Sequence, residues 1–302
     1  MKVLVTGANG FVGRAAVARL AADGHTVVAA HGPGANGGMS LDVTSDASVR
    51  GAFGAPVDAV IHLAAVASTK DARERPALAW AVNAEGTARV ARLLAEAAAR
   101  WRTAPRLLVV SSAEVYAPST TPHREDDAVG PTAPYNASKL GGELAALHTF
   151  RSQGLSVVVA RPFPHIGPGQ DPRYWVAGKC RILRDAKRHG WPVVPVGDLT
   201  AVRDFLHVAD VVDAYVRLLE RGAPGEVYNV ASGQAVSLEE VQTCVERLLE
   251  FHPKREHDAS HARPDARPVL VGDATRLRAA TGWSPRHSLE DTLREVLDAQ
   301  TD

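Results

Sequence analysis

"VTGANGFVGR", residues 5–14, joins an apolar strand pattern to the start of a helical one, and its three glycines decide the fold. Gly7, Gly10 and Gly13 stand in the spacing G-x-x-G-x-x-G. In a strand–turn–helix setting the first allows a tight turn and the second lets backbone approach a pyrophosphate. The third lets the helix pack closely on the sheet. Placement at the first β–α junction of the chain separates this stretch from an ordinary glycine-rich turn. It points to a dinucleotide and is silent about the reaction.

Outward from it, short Val/Leu/Ile runs alternate with Ala-rich helical stretches. Residues 2–6, 25–30, 59–64, 106–111 and 155–160 read as continuous apolar strands, the pattern of strands covered on both faces. Residues 13–24, 85–100 and 138–152 carry helical periodicity, with Gly24 and Gly154 as C-terminal stops. This alternation predicts an α/β fold, a doubly wound parallel Rossmann sheet. After Arg161 the chain becomes Pro/Gly-rich, and "EVYNVAS" (226–232) reads as one more strand returning to the sheet. The expected division is a dinucleotide-binding domain over 1–163 and 206–235, with a smaller C-terminal lobe over 164–205 and 236–302.

Lys plus Arg and Asp plus Glu each number 34, so the formal net charge is zero. No basic stripe suits nucleic acid, no apolar run suits a membrane, and the opening residues lead to the expectation of no signal peptide. Cys180 and Cys244 match no ligand spacing, and a cytoplasmic setting is the default. His257 and His261 lie four apart in a polar stretch without a carboxylate or Cys framework, so no metal site is expected.

The glycine pattern, "SSAEVY" (111–116) and "YNASK" (135–139) occur in the order and spacing of extended short-chain dehydrogenase/reductases, which the chain resembles along essentially its whole length. "RPFPHIGPGQ", "RDFLHVADV" and "RPDARPVLVGDATRLRAATGW" resemble the nucleotide-sugar branch of epimerases and dehydratases, and most of all GDP-4-keto-6-deoxy-mannose reductases.

That resemblance implies a catalytic set of Ser112, Tyr135 and Lys139. Tyr135 would transfer the substrate hydroxyl proton, Ser112 would hydrogen-bond the same oxygen, and Lys139 would hold the nicotinamide ribose. Elementary electrostatics supports the pairing, because residues four apart share a helix face. An ammonium about 4 Å from the phenol, at an effective dielectric of about 20, favours phenolate by about 4 kcal/mol. That is on the order of three pKa units, which places the expected Tyr135 pKa near ~7. Glu114 matches the base of sugar 4,6-dehydratases, but Ala113 stands where those enzymes carry a proton donor. Glu114 is therefore read as a substrate contact or orienting group.

The same resemblance places the cofactor against Gly7, Asn9, Gly10, Phe11, Val12, Gly13, Arg14, His31, Asp42, Val43, Leu63, Ala64, Ala65, Asn83, Ser111, Tyr135, Lys139 and Pro162. Asp42 matches an adenine-contacting acid. The second strand ends at Ala30–His31 without the carboxylate that accepts from an NAD ribose. Arg14 is placed to pair with a 2′-phosphate. NADP(H) is favoured, with NAD(H) left open. Ser68, Ser112, Pro164, His165, Arg203 and Arg263 are the expected substrate contacts, the two arginines on a diphosphate. Pro164 departs from the family's Asn and can donate no hydrogen bond; His165 is expected to take part of that work.

The reading is an NADP(H)-dependent reductase of a nucleoside-diphosphate 4-keto-6-deoxy sugar, dimeric through the helix of Tyr135 and the one before it. The alternatives are a nucleotide-sugar 4-epimerase with retained NAD and a non-catalytic NADP(H)-sensing protein.

Overall fold

The computed structural model describes residues 1–34, 37–258 and 268–299. Strand β1 (Lys2–Thr6) leads through the glycine turn into α1 (Phe11–Ala22), followed by β2 (Thr26–His31), β3 (Met39–Ser40), α2 (Asp46–Ala52) and β4 (Ala59–His62). Next come α3 (Thr69–Glu74), α4 (Pro76–Ala79), a π-helical segment (Trp80–Gly86), α5 (Thr87–Trp101), β5 (Arg106–Val110), α6 (Pro134–Gln153) and β6 (Ser156–Pro162). The second part holds β7 (His165–Ile166), α7 (Trp175–His189), β8 (Val193–Val196), β9 (Val202–Arg203), β10 (Leu206–His207), α8 (Val208–Arg221) and β11 (Val227–Val230). It closes with β12 (Val236–Ser237), α9 (Leu238–Leu248), β13 (Lys254–His257), β14 (Val269–Leu270), α10 (Thr275–Thr281) and α11 (Leu289–Ala299).

Seven strands form one sheet in the order β11-β6-β5-β4-β1-β2-β3, and every pairing in it is parallel. Successive side chains in a strand face opposite sides. Val3, Val5, Ile61, Leu108 and Val158 therefore pack in one core with residues of α1 and α8. Leu4, Val60, Leu107, Val109 and Val157 pack in another with α2, α5 and α6. A third core, around Val176, Cys180, Leu183, Val241, Val245 and Leu293, joins α7, α9 and α11. The strand order reverses between β1 and β4, and at such a point the C-terminal strand ends leave a crevice for ligands.

Three departures from sequence reading shape that crevice. The 59–64 run stays in the sheet only to His62, because the Leu63 and Ala64 N–H groups donate to the Thr6 hydroxyl at 3.1 Å instead of to a strand. Helix α6 starts at Pro134, with proline at its first turn where no N–H is required. The helix expected over 85–100 is preceded by the π-helical turn at Trp80–Gly86. No described helix is long and apolar enough to cross a membrane.

Candidate active site

Two glycines of the first turn are required by space. At Gly7 φ is +68°, and a Cβ there would lie 2.9 Å from the Ala64 nitrogen. A Cβ on Gly13 would lie 2.2 Å from the Gly7 carbonyl oxygen. Thr6 accepts the two N–H groups of Leu63 and Ala64, so its own proton goes to His62 Nδ1 at 2.8 Å. His62 Nε2 then donates to Thr87 Oγ1 at 3.1 Å, and Thr87 donates to the Asn83 carbonyl at 2.7 Å. Burial, with the Lys139 charge adding to it, pushes the His62 imidazolium down to about 3 and keeps the ring neutral. This buried relay turns Leu63, Ala64 and Ala65 towards a cavity of about 1280 Å³.

The cavity gathers Gly7, Asn9, Gly10, Phe11, Val12, Gly13, Arg14, Leu63, Ala64, Ala65, Ser68, Ser111, Ser112, Glu114, Tyr135, Lys139, Pro162, Pro164, His165 and Arg203. Four expected cofactor residues are not on its wall. Asn83 is 2% exposed, and its amide is spent on Val66 N–H, Val66 O and Ser138 Oγ. It therefore fixes the loop after β4 to α6. The Asp42 carboxylate accepts from the Thr44 N–H and hydroxyl, which hold it below the usual carboxylate range. The Val43 side chain packs on Gly86, and its carbonyl accepts from Arg89. His31 ends β2 and packs against Gly38. Arg263 and His261 lie outside the described residues.

Ser112 caps the short 3₁₀ turn Ala113–Val115, its Oγ accepting the Glu114 N–H at 3.1 Å. That contact leaves the hydroxyl proton to be donated, and the serine hydrogen-bonds Tyr135. The expected phenol near ~7 is not found. Burial pushes Tyr135 up to about 12; the Ser112 hydrogen bond opposes this, and Glu114 and Tyr174 add to it. Lys139 is on the same helix but donates to the Val110 carbonyl at 2.5 Å. Burial also lowers Lys139 to about 8, against the raising effect of Glu143. Desolvation dominates at both groups, and the phenol stays protonated. Glu114 lines the cavity and receives Asn136 Nδ2 at 3.5 Å, while Ala113 beside it offers no proton.

Arg14 donates to the Asn9 carbonyl at 2.7 Å and the Gly169 carbonyl at 3.3 Å, so it ties the glycine turn to the loop after β7. His165 stacks on Phe11 with ring centroids 6.3 Å apart. Its Nδ1 donates to the Phe163 carbonyl at 3.0 Å, which leaves Nε2 as an acceptor. Burial lowers its pKa, and the ring lines the cavity. Ser111 Oγ is buried in the wall with no partner among the described residues, an orphan that a ligand group would satisfy. Sequence reading missed Tyr174, Tyr215, Asp71 and Arg173, which also line the cavity. It missed the Thr6–His62–Thr87 relay as well, since no local spacing announces contacts between residues far apart in the chain.

A glycine turn at the sheet's switch point, beside a Ser–Tyr–Lys cluster in one cavity, defines a dinucleotide-dependent enzyme on a Rossmann sheet. The chain belongs to the NAD dependent epimerase/dehydratase family, whose model matches residues 3–231. It is 34% identical to the GDP-6-deoxy-D-mannose reductase of Pseudomonas aeruginosa, over 98% of this chain and 96% of that protein. It is 32% identical to a UDP-glucose 4-epimerase of Mycolicibacterium smegmatis, over 99% of this chain and 98% of that one. Among solved structures, RMD from Pseudomonas aeruginosa complexed with NADPH aligns with a TM-score of 0.86 at 33% identity, covering 99% of this chain and 98% of that chain. MoeE5 in complex with UDP-glucuronic acid and NAD aligns with a TM-score of 0.86 at 29% identity, covering 99% and 98%.

Proposed function

We propose that the protein is an NADP(H)-dependent reductase of a nucleoside-diphosphate 4-keto-6-deoxy sugar. The observation that carries this is the gathering of Ser112, Tyr135 and Lys139 beside the glycine turn in one cavity, in a chain 34% identical over 98% of its length to a GDP-6-deoxy-D-mannose reductase. Reduction of a ketone needs a proton donor at the carbonyl oxygen, and burial keeps the Tyr135 proton in place to be given. An epimerase would use the same three residues but begin by removing a hydroxyl proton and keep its cofactor.

Gly7, Gly10, Gly13 and the start of α1 would hold the cofactor pyrophosphate, with Ser111 and Lys139 nearer the nicotinamide and Arg14 on a 2′-phosphate. When bound, the reduced nicotinamide supplies the hydride. Tyr135 gives its proton to the carbonyl oxygen, and Ser112 donates to the same oxygen as negative charge develops there. The likeness to RMD from Pseudomonas aeruginosa complexed with NADPH supports this cofactor. Ala113 supplies no proton beside Glu114, which disfavours expulsion of a C6 hydroxyl.

We assign residues 1–163 and 206–235 to dinucleotide binding and the rest to the sugar nucleotide. We also propose a homodimer through α6 and the π-helical segment. Trp80 and Leu144 are large apolar side chains there, 44% and 54% exposed. The test of function is NADPH oxidation against 4-keto-6-deoxy sugars carrying GDP, dTDP, UDP or CDP. Stoichiometric NADPH consumption is expected. A purified protein that retains NAD(H) and interconverts 4-epimers without net oxidation would overturn the reading.

A further inference from the structure

Arg173, in the loop between β7 and α7, reaches across the cavity wall to α3. Its Nη1 lies 3.2 Å from Asp71 Oδ2, and its Nη2 lies 2.9 Å from Asp171 Oδ2. The other Asp171 oxygen accepts the Arg173 backbone N–H at 2.9 Å, so the base of the side chain is fixed by its own loop. Asp71, Asp171 and Arg173 all line the cavity. The Arg173 side chain is 55% exposed and that of Asp71 30%. The side of the cavity that faces the smaller lobe therefore carries a cation whose second carboxylate comes from a different element, 102 residues away.

Two neighbouring features make that arrangement unusual for a merely structural ion pair. Pro164 has no N–H, and its carbonyl is already taken by the Leu206 N–H at 2.9 Å, so Pro164 itself offers an anion no donor. The first turn of α7, whose Trp175 and Val176 line the cavity, has no side-chain cap. The positive end of its dipole adds to the Arg173 charge.

We infer that Arg173 is a ligand for the diphosphate of the nucleotide sugar, and that Asp71 holds it until the diphosphate displaces the carboxylate. An exposed arginine–carboxylate pair is weakly held. A diphosphate offers the same forked geometry with more charge, which favours the exchange. Asp171 keeps its grip on the loop, so only the guanidinium must turn. The exchange makes Arg173 a determinant of substrate affinity, and Asp71 an internal competitor with the substrate. This rests on the nucleotide-sugar reading above.

Calorimetric titration with GDP, UDP, dTDP and CDP, and separately with NADPH, tests it on the wild-type protein and on the Arg173→Ala and Asp71→Asn variants. For whichever nucleoside diphosphate the wild type binds, Arg173→Ala should weaken affinity by about tenfold or more. Asp71→Asn should tighten it severalfold, which also shows that a variant at this pair folds. NADPH affinity should stay the same in both. Unchanged nucleoside-diphosphate affinity in Arg173→Ala overturns the inference. So does weakened binding in Asp71→Asn, which would make the carboxylate a support rather than a competitor. Loss of NADPH affinity with nucleoside-diphosphate affinity retained assigns Arg173 to the cofactor pyrophosphate and overturns it too. A wild-type protein that binds NADPH but none of the four nucleoside diphosphates removes the nucleotide-sugar reading and this inference together.

Discussion

The Lys139 ammonium donates to the backbone carbonyl of Val110 at 2.5 Å and so ties helix α6 to the C-terminal end of β5. Burial lowers the lysine to about 8, against the raising effect of Glu143.

Catalytic efficiency should fall as pH rises through about 8, because the ammonium proposed to hold the nicotinamide ribose is deprotonated there. Stability runs the other way. Lys139 binds its proton less tightly folded than unfolded, so between about 8 and its ordinary 10.5 this group's contribution rises with pH. A pH profile of kcat/KM for ketone reduction checks the first statement. A Lys139→Met variant should lack this limb, and a profile still falling near 8 would assign it to another group.

Tyr135→Phe should lower turnover by about 10²–10⁴-fold, the usual contribution of a general acid, with NADPH affinity nearly unchanged. Removing the hydroxyl takes the proton donor and leaves the glycine turn and Lys139 in place. Single-turnover reduction, beside a fluorescence titration of NADPH, separates the two effects. Near-wild-type turnover would sink the assignment.

NADPH should bind more tightly than NADH, since β2 ends at His31 without a carboxylate and Arg14 lines the cavity. Arg14→Ala should narrow the preference by weakening NADPH selectively. It also removes the contact to the Gly169 carbonyl, so NADH affinity serves as the control for a disturbed loop. A wild-type preference for NADH would count against the cofactor assignment.

Glu143→Gln should destabilise the fold by about 3–5 kcal/mol, because it leaves a buried arginine without its counter-charge. The Arg161 and Glu143 side chains are only 6% and 2% exposed, with Nη2 and Oε1 2.5 Å apart. Arg161 also lies 4.7 Å over the Tyr116 ring. A urea midpoint close to that of the wild type would show that the guanidinium finds another partner.

Much of the scaffold was legible because its determinants are local. Strand and helix periods, the G-x-x-G-x-x-G turn and the four-residue spacing of Tyr135 and Lys139 are set by geometry within a few residues. These determine the alternating strands and helices and the crevice at the switch point, while the meeting of Ser112 with Tyr135 and Lys139 at one cavity was implied by the resemblance to extended short-chain dehydrogenase/reductases. Tertiary structure decided the state of those groups. The spacing of Tyr135 and Lys139 suggested an activated phenolate, yet burial, with Glu114 and Tyr174 adding to it, leaves the phenol protonated, while Lys139 donates to the Val110 carbonyl 29 residues away. Asn83 could be matched to a motif by sequence, but only the folded chain shows its amide spent on Val66 and Ser138. Asp71 and Arg173 carried no signal at all, since helix α3 and the loop before α7 lie far apart in the chain and meet only when it is folded. Local geometry places a side chain on a helix or a turn; its charge and its partners depend on desolvation and on groups distant in the chain, which exist only once the cores have closed.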